Sequence, residues 1–353
     1  MTDLLALTAQ LVDMPSVSFE ERALADWFEA ELHAADHLDV HRVGDNLVAR
    51  TRLGRSHRLV LGGHLDTVPV NDNSGARVEG DTLWGLGSAD MKGGLAVMLE
   101  LARTVVDPAV DVTYVFYARE EVAIEHNGLR QLYAERPDLL EADLAILGEP
   151  TSAAIEAGCQ GTMRVEVTLA GERAHTARAW MGRNAIQRLG GLLSAVDGYE
   201  PRQPTVDGCR YHEGLQAVHV EGGVAGNVVP DRAMVRLNHR FAPDRTPDEA
   251  VAHVRTVVGP FLGPDDTVEV VDLSPAARPG LDHPLLAGLV RRDDVDVRAK
   301  LGWTDVAFFS EHGVPAINFG PGDATIAHTR DEHVERRSLE RVHRVLTDLL
   351  VAR

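Results

Sequence analysis

Hydrophobic positions in the first 150 residues follow two alternating patterns. Short apolar or β-branched runs at 58–63, 110–118 and 142–148 predict strands. Stretches with apolar residues at helical spacing predict helices at 4–12, 92–106 and 127–135. Strands that alternate with helices of about 10–15 residues are typical of βαβ units. The pattern therefore predicts an α/β layer built on a largely parallel sheet.

The middle of the chain has a different pattern. Residues 163–169 alternate apolar and polar positions, as a half-buried strand does. A helix, two strands, a second helix and a last strand are predicted after it, at 183–196, 215–220, 233–241, 246–258 and 267–271. The second helix has Thr246 as its N-cap and Pro247 at its first position. The order βαββαβ predicts a ferredoxin-like domain.

The α/β pattern then resumes, with a helix at 284–292, a strand at 314–319 and an amphipathic helix at 337–350. We therefore predict a discontinuous α/β domain formed by residues 1–159 and 273–353. Its sheet is largely parallel but mixed, with helices on both faces. Residues 160–272 are predicted to form the inserted ferredoxin-like domain.

Composition narrows the class of protein. Of 353 residues, 44% are hydrophobic and 25% charged, as in an ordinary folded protein. The net charge of −19 argues against nucleic acids and anionic membranes as partners. The N-terminus lacks a basic region, and we find no run of 18 apolar residues. Cys159 and Cys209 lack CxxC spacing, which excludes a thiolate metal site, and we expect a cytoplasmic location.

Acidic and imidazole side chains cluster where the predicted strands end or shortly after. In chain order they are His64, Asp66, Asp90, Glu120, Glu121, Glu149 and His328. The carboxyl ends of parallel strands meet at one edge of a sheet, where ligands collect. We therefore expect these side chains to lie close together.

Two imidazoles and at least three carboxylates, without a thiolate, suit borderline divalent ions such as Zn²⁺, Co²⁺ or Mn²⁺. The set exceeds what one tetrahedral ion with an open position needs, but it suits two ions if one carboxylate bridges them. Asp90 is the natural bridge, because it lies on a loop between the other ligand-bearing segments. Two ions about 3.5–4 Å apart would activate a shared water and polarise a carbonyl.

The spacing within two of these motifs suggests separate roles. His64 and Asp66 are two positions apart, so an extended backbone points both to one side, and Asp66 can orient the imidazole. The neighbouring Glu120 and Glu121 diverge, so one can bind metal and the other can act as general base. Each motif alone also fits a turn, a helix cap or a solvated surface, whereas their combination favours a metal centre. The glycine-rich stretch 85–90 lacks the residues of a P-loop or a dinucleotide fingerprint.

The motifs GGHLDTVP, WGLGSADMKGG, the Glu pair, GEPT and the C-terminal histidine resemble the M20 family of dinuclear zinc amidohydrolases and exopeptidases. The resemblance implies that residues 1–159 and 273–353 are catalytic and that 160–272 form a lid and dimerisation domain. It implies two Zn²⁺ ions, replaceable by Co²⁺ or Mn²⁺. The implied ligands are His64 and Glu149 for one ion, Glu121 and His328 for the other, and Asp90 as bridge. Glu120 would be the base, and Asp66 would orient His64.

Within the family, five segments are similar to actinobacterial members that hydrolyse N-succinyl-LL-2,6-diaminopimelate to succinate and LL-2,6-diaminopimelate, on the route to lysine and peptidoglycan. The segments are EAGCQGT, AHTARAWMGRNAI, EGGVAGNVVPD, NHRFAPD and AKLGWTDVAFFSEHGVPAINFGPGD. The resemblance implies a homodimer through the lid, in which His175 enters the partner's active site and stabilises the oxyanion. The implied substrate contacts are Thr162, Arg178, Asn227, Arg240, Gly302 and Thr304.

The sequence departs from this pattern at one point. Better-known members carry a pair of arginines where this chain has Cys159 and Gln160. Arginine forks are the usual partners of carboxylates, so Arg178, Arg240 or Lys300 should replace the pair. Other activities of the family stay open at this stage, namely N-acetylornithine deacetylase, aminoacylase and dipeptidase. A non-catalytic metal-binding or peptide-binding relative is disfavoured, because the base and all five ligands are present.

Overall fold

The computed structural model describes residues 2–352, which divide into two compact units. The first unit runs to Gly158, resumes over Pro279–Arg298 and takes the chain from Phe308 onward. The second consists of Cys159–Arg278 and Ala299–Ala307. Cys159 and the segments 273–278 and 299–307, which the sequence placed in the discontinuous domain, thus group with the second unit. Within residues 2–352, no helix has the length and apolar character needed to cross a membrane.

The two units contain nine named helices and seventeen strands among the described residues. The helices are α1 (Leu4–Val12), α2 (Arg22–His33), α3 (Gly93–Thr104), α4 (Gly128–Glu135), α5 (Ala185–Asp197), α6 (Pro247–Val258), α7 (Ala287–Val290), α8 (Val306–Glu311) and α9 (Arg336–Val351). The strands are β1 (Asp39–Val43), β2 (Asn46–Arg50), β3 (Arg58–His64), β4 (Arg77–Glu79), β5 (Thr82–Trp84), β6 (Asp111–Tyr117), β7 (Leu144–Leu147), β8 (Ile155–Ala157), β9 (Gly161–Ala170), β10 (Thr205–Val206), β11 (Cys209–Arg210), β12 (Gly214–Gly222), β13 (Arg232–Phe241), β14 (Thr267–Ser274), β15 (Val297–Ala299), β16 (Ala316–Asn318) and β17 (His333–Glu335).

The first unit is built on an eight-stranded sheet in the order β1-β2-β6-β3-β7-β16-β8-β15. Its four central strands, β6, β3, β7 and β16, are parallel to one another, while β2 pairs antiparallel with β6 and β8 pairs antiparallel with β16. The predicted largely parallel, mixed sheet is therefore confirmed. His64 at the end of β3 lies opposite Tyr117 at the end of β6, and Gly62 lies opposite Leu147 at the end of β7. This register brings the loops after three strands to one edge.

Close packing between α3 and the sheet depends on glycine. A Cβ on Gly94 of α3 would lie 2.3 Å from the carbonyl oxygen of Gly148, and one on Gly63 of β3 would lie 2.3 Å from the Met91 side chain. Only glycine permits so close an approach of backbone and neighbour. Helix α3 thus packs against Gly148, which lies between the end of β7 and Glu149.

The second unit contains a four-stranded antiparallel sheet in the order β12-β13-β9-β14. Along the chain its elements run β9, α5, β12, β13, α6, β14, with a small β10–β11 hairpin between α5 and β12. Apolar residues of β9, β13, α5 and α6 form its core, among them Val165, Val167, Val235, Leu189 and Val254. The Thr246 side chain accepts the Glu249 N–H, and the Glu249 carboxylate accepts the Thr246 N–H, so the predicted start of this helix is a full capping box.

A partly buried ion pair joins Arg188 and Asp266 in the second unit. Both carboxylate oxygens of Asp266, whose side chain is 1% exposed, accept hydrogen bonds from the Arg188 guanidinium. They also accept the N–H groups of Gly263 and Ala170. The hydrogen bonds from Arg188, aided by these two amides, outweigh desolvation and lower the pKa of Asp266 to about 2.

Some elements differ from the sequence prediction. The predicted helix at 92–106 is α3, Gly93–Thr104, and the predicted strand at 314–319 shortens to β16. The predicted helix at 284–292 is only a turn at Pro284–Leu286 followed by α7, Ala287–Val290. Gly288 lies in the middle of that stretch and lowers its helix propensity by about 1 kcal/mol relative to alanine. Helix α2 and the β1–β2 hairpin were not predicted.

Candidate metal centre

Imidazole and carboxylate groups from distant parts of the first unit meet at the carboxyl edge of its sheet. His64 Nε2 lies 3.1 Å from Asp90 Oδ1, and His328 Nε2 lies 3.5 Å from Asp90 Oδ2. His328 Nε2 also lies 2.8 Å from Glu121 Oε1. Ligand atoms of His64, Asp90 and Glu121 all fall within 4.8 Å of one another. Asp90 therefore turns one oxygen towards each histidine, which is the arrangement of a bridging carboxylate.

The backbone before α3 places the Asp90 side chain. Residues Ser88–Lys92 form a distorted turn in which Asp90 has extended dihedral angles (φ −122°, ψ 94°), and the Asp90–Met91 peptide is cis. Asp90 thus precedes the first residue of α3 rather than capping it. The backbone is also irregular at His328, which has a positive φ of 62°. Asp90 and His328 thus both lie on segments with irregular backbone geometry, which is common at functional sites.

Glu149 belongs to the same cluster. It follows β7, is 5% exposed, and its charge acts on the His64 imidazole. With Glu149, all five predicted ligands lie in the first unit, at the ends of neighbouring strands or on the segments facing them.

Asp66 is completely buried and holds the backbone of the Glu pair. Its Oδ1 accepts the Glu120 N–H at 3.0 Å, and its Oδ2 accepts the Glu121 N–H at 3.1 Å. The Ser18 hydroxyl also donates to Oδ2, at 2.7 Å. The Asp66 carboxylate therefore fixes the backbone that carries the Glu120 and Glu121 side chains.

The orientation of His64 depends mainly on the main chain of Asp66. His64 Nδ1 lies 2.9 Å from the Asp66 carbonyl oxygen and 3.6 Å from its carboxylate. A carbonyl oxygen only accepts, so Nδ1 carries the proton and Nε2 faces Asp90. This tautomer leaves Nε2 as the ligand atom.

The electrostatics of the cluster favour positive charge. Burial opposes protonation of His64, but the hydrogen bonds and charges of Asp66, Asp90 and Glu149 outweigh it and raise the pKa of the imidazole. Hydrogen bonds that His328 donates to the carboxylates of Asp90 and Glu121 raise its pKa to about 10. Although burial works against it, hydrogen bonds from both histidines lower the pKa of Asp90. A divalent cation can take the place of these extra protons.

The donor set fits two divalent ions. It offers two imidazole nitrogens and three carboxylates, with one carboxylate between the histidines, and this nitrogen and oxygen chemistry suits Zn²⁺, Co²⁺ or Mn²⁺. Both cysteines are buried and free, and both belong to the second unit.

Sequence reasoning missed three buried residues around the cluster. Glu332 accepts three backbone N–H groups of the Asp90 loop, and Asn73 donates to the carbonyl next to His328. Lys92 donates from Nζ to the Met14 carbonyl at 2.7 Å, and burial lowers its pKa to about 8. Lysine, glutamate and asparagine are mostly exposed residue types, so their identity gave no signal that these three positions are buried.

The remaining predicted site residues lie in the second unit, in two groups and one loop. In the first group, Thr176 N–H donates to the Asn227 carbonyl, and His175 Nδ1 accepts the Ala177 N–H, so the predicted His175, Arg178 and Asn227 share one exposed turn region. In the second, Arg240 of β13 lies opposite Thr162 of β9. Gly302 and Thr304 lie on the loop before α8. Their roles in substrate binding stay predictions.

Cys159 and Gln160 lie inside the second unit. Gln160 is 1% exposed and its side-chain oxygen accepts the His212 N–H, while burial raises the pKa of the Cys159 thiol to about 11. Both side chains are therefore buried inside the second unit, in surroundings typical of a structural role. Arg240 is half-buried, and burial lowers the pKa of its guanidinium. A nearby anion would stabilise the charged form of such a partly desolvated group.

Comparisons with known proteins show the family of this chain. Residues 60–352 match the family described as Peptidase family M20/M25/M40. A Mycobacterium tuberculosis protein named for succinyl-diaminopimelate desuccinylase is 51% identical over 94% of this chain and 93% of its own. The succinyl-diaminopimelate desuccinylase of Corynebacterium glutamicum is 44% identical over 99% of this chain and 96% of its own.

Solved structures with low sequence identity share the fold. A tripeptidase from Staphylococcus aureus has a TM-score of 0.79 at 21% identity and covers 99% of this chain and 97% of its own. A Bacillus subtilis protein described as a dinuclear metal binding peptidase from the M20 family has a TM-score of 0.71 at 15% identity, over 98% and 96% of the two chains. The same architecture is thus found in a protein described as binding two metal ions.

Proposed function

The chain belongs to peptidase family M20/M25/M40, and on that basis we propose that it hydrolyses the amide bond of N-succinyl-LL-2,6-diaminopimelate to succinate and LL-2,6-diaminopimelate. The observation that carries this proposal is the 51% and 44% identity, over nearly the whole chain, to relatives named for that reaction. The cluster around Asp90 supplies the chemistry that such a hydrolysis needs.

We propose the ligand assignment that the resemblance to the M20 family implies, and the grouping of His64, Asp90, Glu121 and His328 in the first unit supports it. His64 and Glu149 would hold one ion, Glu121 and His328 the other, and Asp90 would reach both. Zn²⁺ is the ion we propose, with Co²⁺ or Mn²⁺ as substitutes. When bound, two such ions would polarise the scissile carbonyl and lower the pKa of water.

Glu120 is proposed as the general base. It would take a proton from the attacking water and pass it to the leaving amine. Its backbone N–H is held by Asp66, which also holds the N–H of the ligand Glu121, so one buried carboxylate sets the spacing between base and metal ligand. Asp66 also supplies the carbonyl that orients His64.

We further propose that the protein is a homodimer formed by the second unit. Strand β12 is an edge of its sheet, and the Val218 and Val220 side chains on it are 56% and 50% exposed. Trp180 and Met181, on the turn that follows His175, are 80% and 65% exposed. An apolar, unpaired strand edge is a template for pairing with a second chain. In the dimer, His175 of one subunit would act as an oxyanion donor in the site of the other.

The dimer has a direct test. Val220→Asp places a charge on the proposed interface, and Val78→Asp places the same charge on the exposed strand β4 of the first unit, where Val78 is 51% exposed. Light scattering should give a dimer for the native protein and the Val78 variant, and a monomer for the Val220 variant. A monomeric native protein would contradict the proposal.

The substrate is tested by a side-by-side assay on N-succinyl-LL-2,6-diaminopimelate, N-acetylornithine and a dipeptide. We expect kcat/KM to be highest for the first by at least an order of magnitude. A preference for either of the others would replace the proposed substrate while leaving the metal chemistry in place. The cytoplasmic location stays a prediction, supported by the two free cysteines.

A further inference from the structure

Glu332 gathers the backbone of the loop that carries Asp90. Its Oε1 accepts the N–H groups of Ala89 and Asp90, both at 3.0 Å, and its Oε2 accepts the Gly87 N–H at 3.0 Å. Its own carbonyl accepts the Gly85 N–H at 3.1 Å. Glu332 is 1% exposed and lies 242 residues beyond Asp90 in the chain. One long-range residue therefore contacts four amides of a single loop.

The same residue belongs to the segment that carries His328. The Glu332 N–H donates to the Thr329 carbonyl at 3.3 Å, so Glu332 closes the turn that begins just after the histidine. Asn73 makes a second link: its Nδ2 donates to the Thr329 carbonyl at 3.0 Å, and its carbonyl accepts the Leu86 N–H at 2.9 Å. The Asp90 loop and the His328 turn are thus tied together twice.

These links bear on the spacing of metal ligands. The loop departs from helical geometry at Asp90, so a side chain has to accept the amides that a regular helix would pair internally. Burying a carboxylate beside the anionic cluster has a cost in stability, which three charge-assisted hydrogen bonds offset in part, since burial still raises the pKa of Glu332. Three N–H groups of the Asp90 loop bond to the single carboxylate of Glu332, and together these bonds restrict the movement of the loop.

We infer that Glu332 is a positioning residue of the metal centre: it holds Asp90 at the distance from His328 at which one carboxylate reaches both histidines, and so sets the affinity for the ion bound by Glu121 and His328. This inference rests on the proposed function, because it presupposes a two-ion centre. Changes in the surroundings of ligands typically alter metal affinity by about 10–100-fold.

The test compares Glu332→Gln with Glu340→Gln. The first variant preserves side-chain volume and one acceptor but turns an NH₂ group towards an amide N–H. The second makes the same charge change at an exposed position of α9. Metal-free proteins are titrated with Co²⁺, followed by calorimetry and by the visible absorption of the bound ion, and thermal unfolding is recorded in parallel.

Native protein and Glu340→Gln should bind two Co²⁺ ions with the same spectrum. Glu332→Gln should keep one tight ion, bind the second at least 10-fold more weakly and show a changed spectrum, while added metal restores part of kcat at unchanged KM. A Glu332 variant with native affinity for both ions and a native spectrum would overturn the inference, even if its melting temperature fell.

A second variant covers failure of the first to fold. Asn73→Asp removes the donor to the Thr329 carbonyl, and it should weaken the second ion in the same direction by a smaller factor. Native affinity in that variant would count against the inference. Absence of bound Co²⁺ in the native protein would refute the two-ion centre itself, which distinguishes failure of the proposed function from failure of the role of Glu332.

Discussion

Replacing Asp66 with asparagine should impair the general base more than the metal ligands. The Oδ2 atom of Asp66 accepts two donors, the Ser18 hydroxyl and the Glu121 N–H, whereas Oδ1 accepts the Glu120 N–H and lies 3.6 Å from His64 Nδ1. The asparagine oxygen should take the position with two donors. Its NH₂ group then faces the Glu120 N–H, so that amide loses its acceptor inside a fully buried site.

The size of the effect follows from these contacts. A hydrogen bond to a charged group contributes about 1.5–3 kcal/mol. If that energy serves to place Glu120 in the transition state, kcat falls by about 10–100-fold, since each 1.4 kcal/mol corresponds to tenfold in rate. KM and the number of bound ions should stay close to native, because the Glu121 amide keeps its partner.

The assay measures kcat, KM and metal content for native protein, Asp66→Asn and Ser18→Ala. The serine variant removes a neutral donor to the same carboxylate while leaving both amides paired, so its loss in kcat should stay below about 10-fold. An unchanged kcat in Asp66→Asn would refute the reasoning. So would loss of both ions in that variant, which would show that Asp66 acts mainly through His64.

Three further predictions concern stability and metal content. Because Arg188 lowers the pKa of Asp266 to about 2, the ionised carboxylate should contribute about 1–2 kcal/mol to the free energy of unfolding above pH 4, and this contribution should be lost as the pH falls towards 2. Asp266→Asn should therefore lower the melting temperature at pH 7 but not near pH 2. The control Asp265→Asn, at a side chain that is 68% exposed, should leave the melting temperature at pH 7 close to native. Gly94→Ala should destabilise the protein, because the added Cβ would lie 2.3 Å from a carbonyl oxygen. Gly190→Ala in α5 should stabilise it by about 0.5–1 kcal/mol, because the added Cβ has no neighbour within 4 Å. Equal melting temperatures in the two variants would contradict this packing argument. Dialysis against a chelator should abolish turnover and lower the melting temperature, with both restored by Zn²⁺, and full turnover after ion removal would contradict the metal requirement.

The sequence predicted the elements whose signals are local. Strand β3 is a continuous apolar run that ends in His64, and α6 has a cap, a first-position proline and early acids in its own sequence. The sequence also predicted that His64, Asp90, Glu121 and His328 would lie close together, because the carboxyl ends of parallel strands meet at one edge of the sheet. Their role as metal ligands stays a prediction.

Elements that depend on tertiary contacts were harder to predict. Helix α2 buries Leu24, Ala25, Phe28 and Leu32 but carries charged residues between them and has no side-chain cap. Strand β1 is half-buried throughout and therefore lacks alternation. Glu332 could not be assigned a role, since its partners are backbone amides more than 240 residues away and amides carry no sequence signature.

The number of divalent ions bound per active chain tests the central claim most directly. Metal analysis of the purified protein, combined with titration of the metal-free protein against turnover of N-succinyl-LL-2,6-diaminopimelate, should give two ions at full activity. Full turnover by a protein that binds no divalent ion would contradict the account.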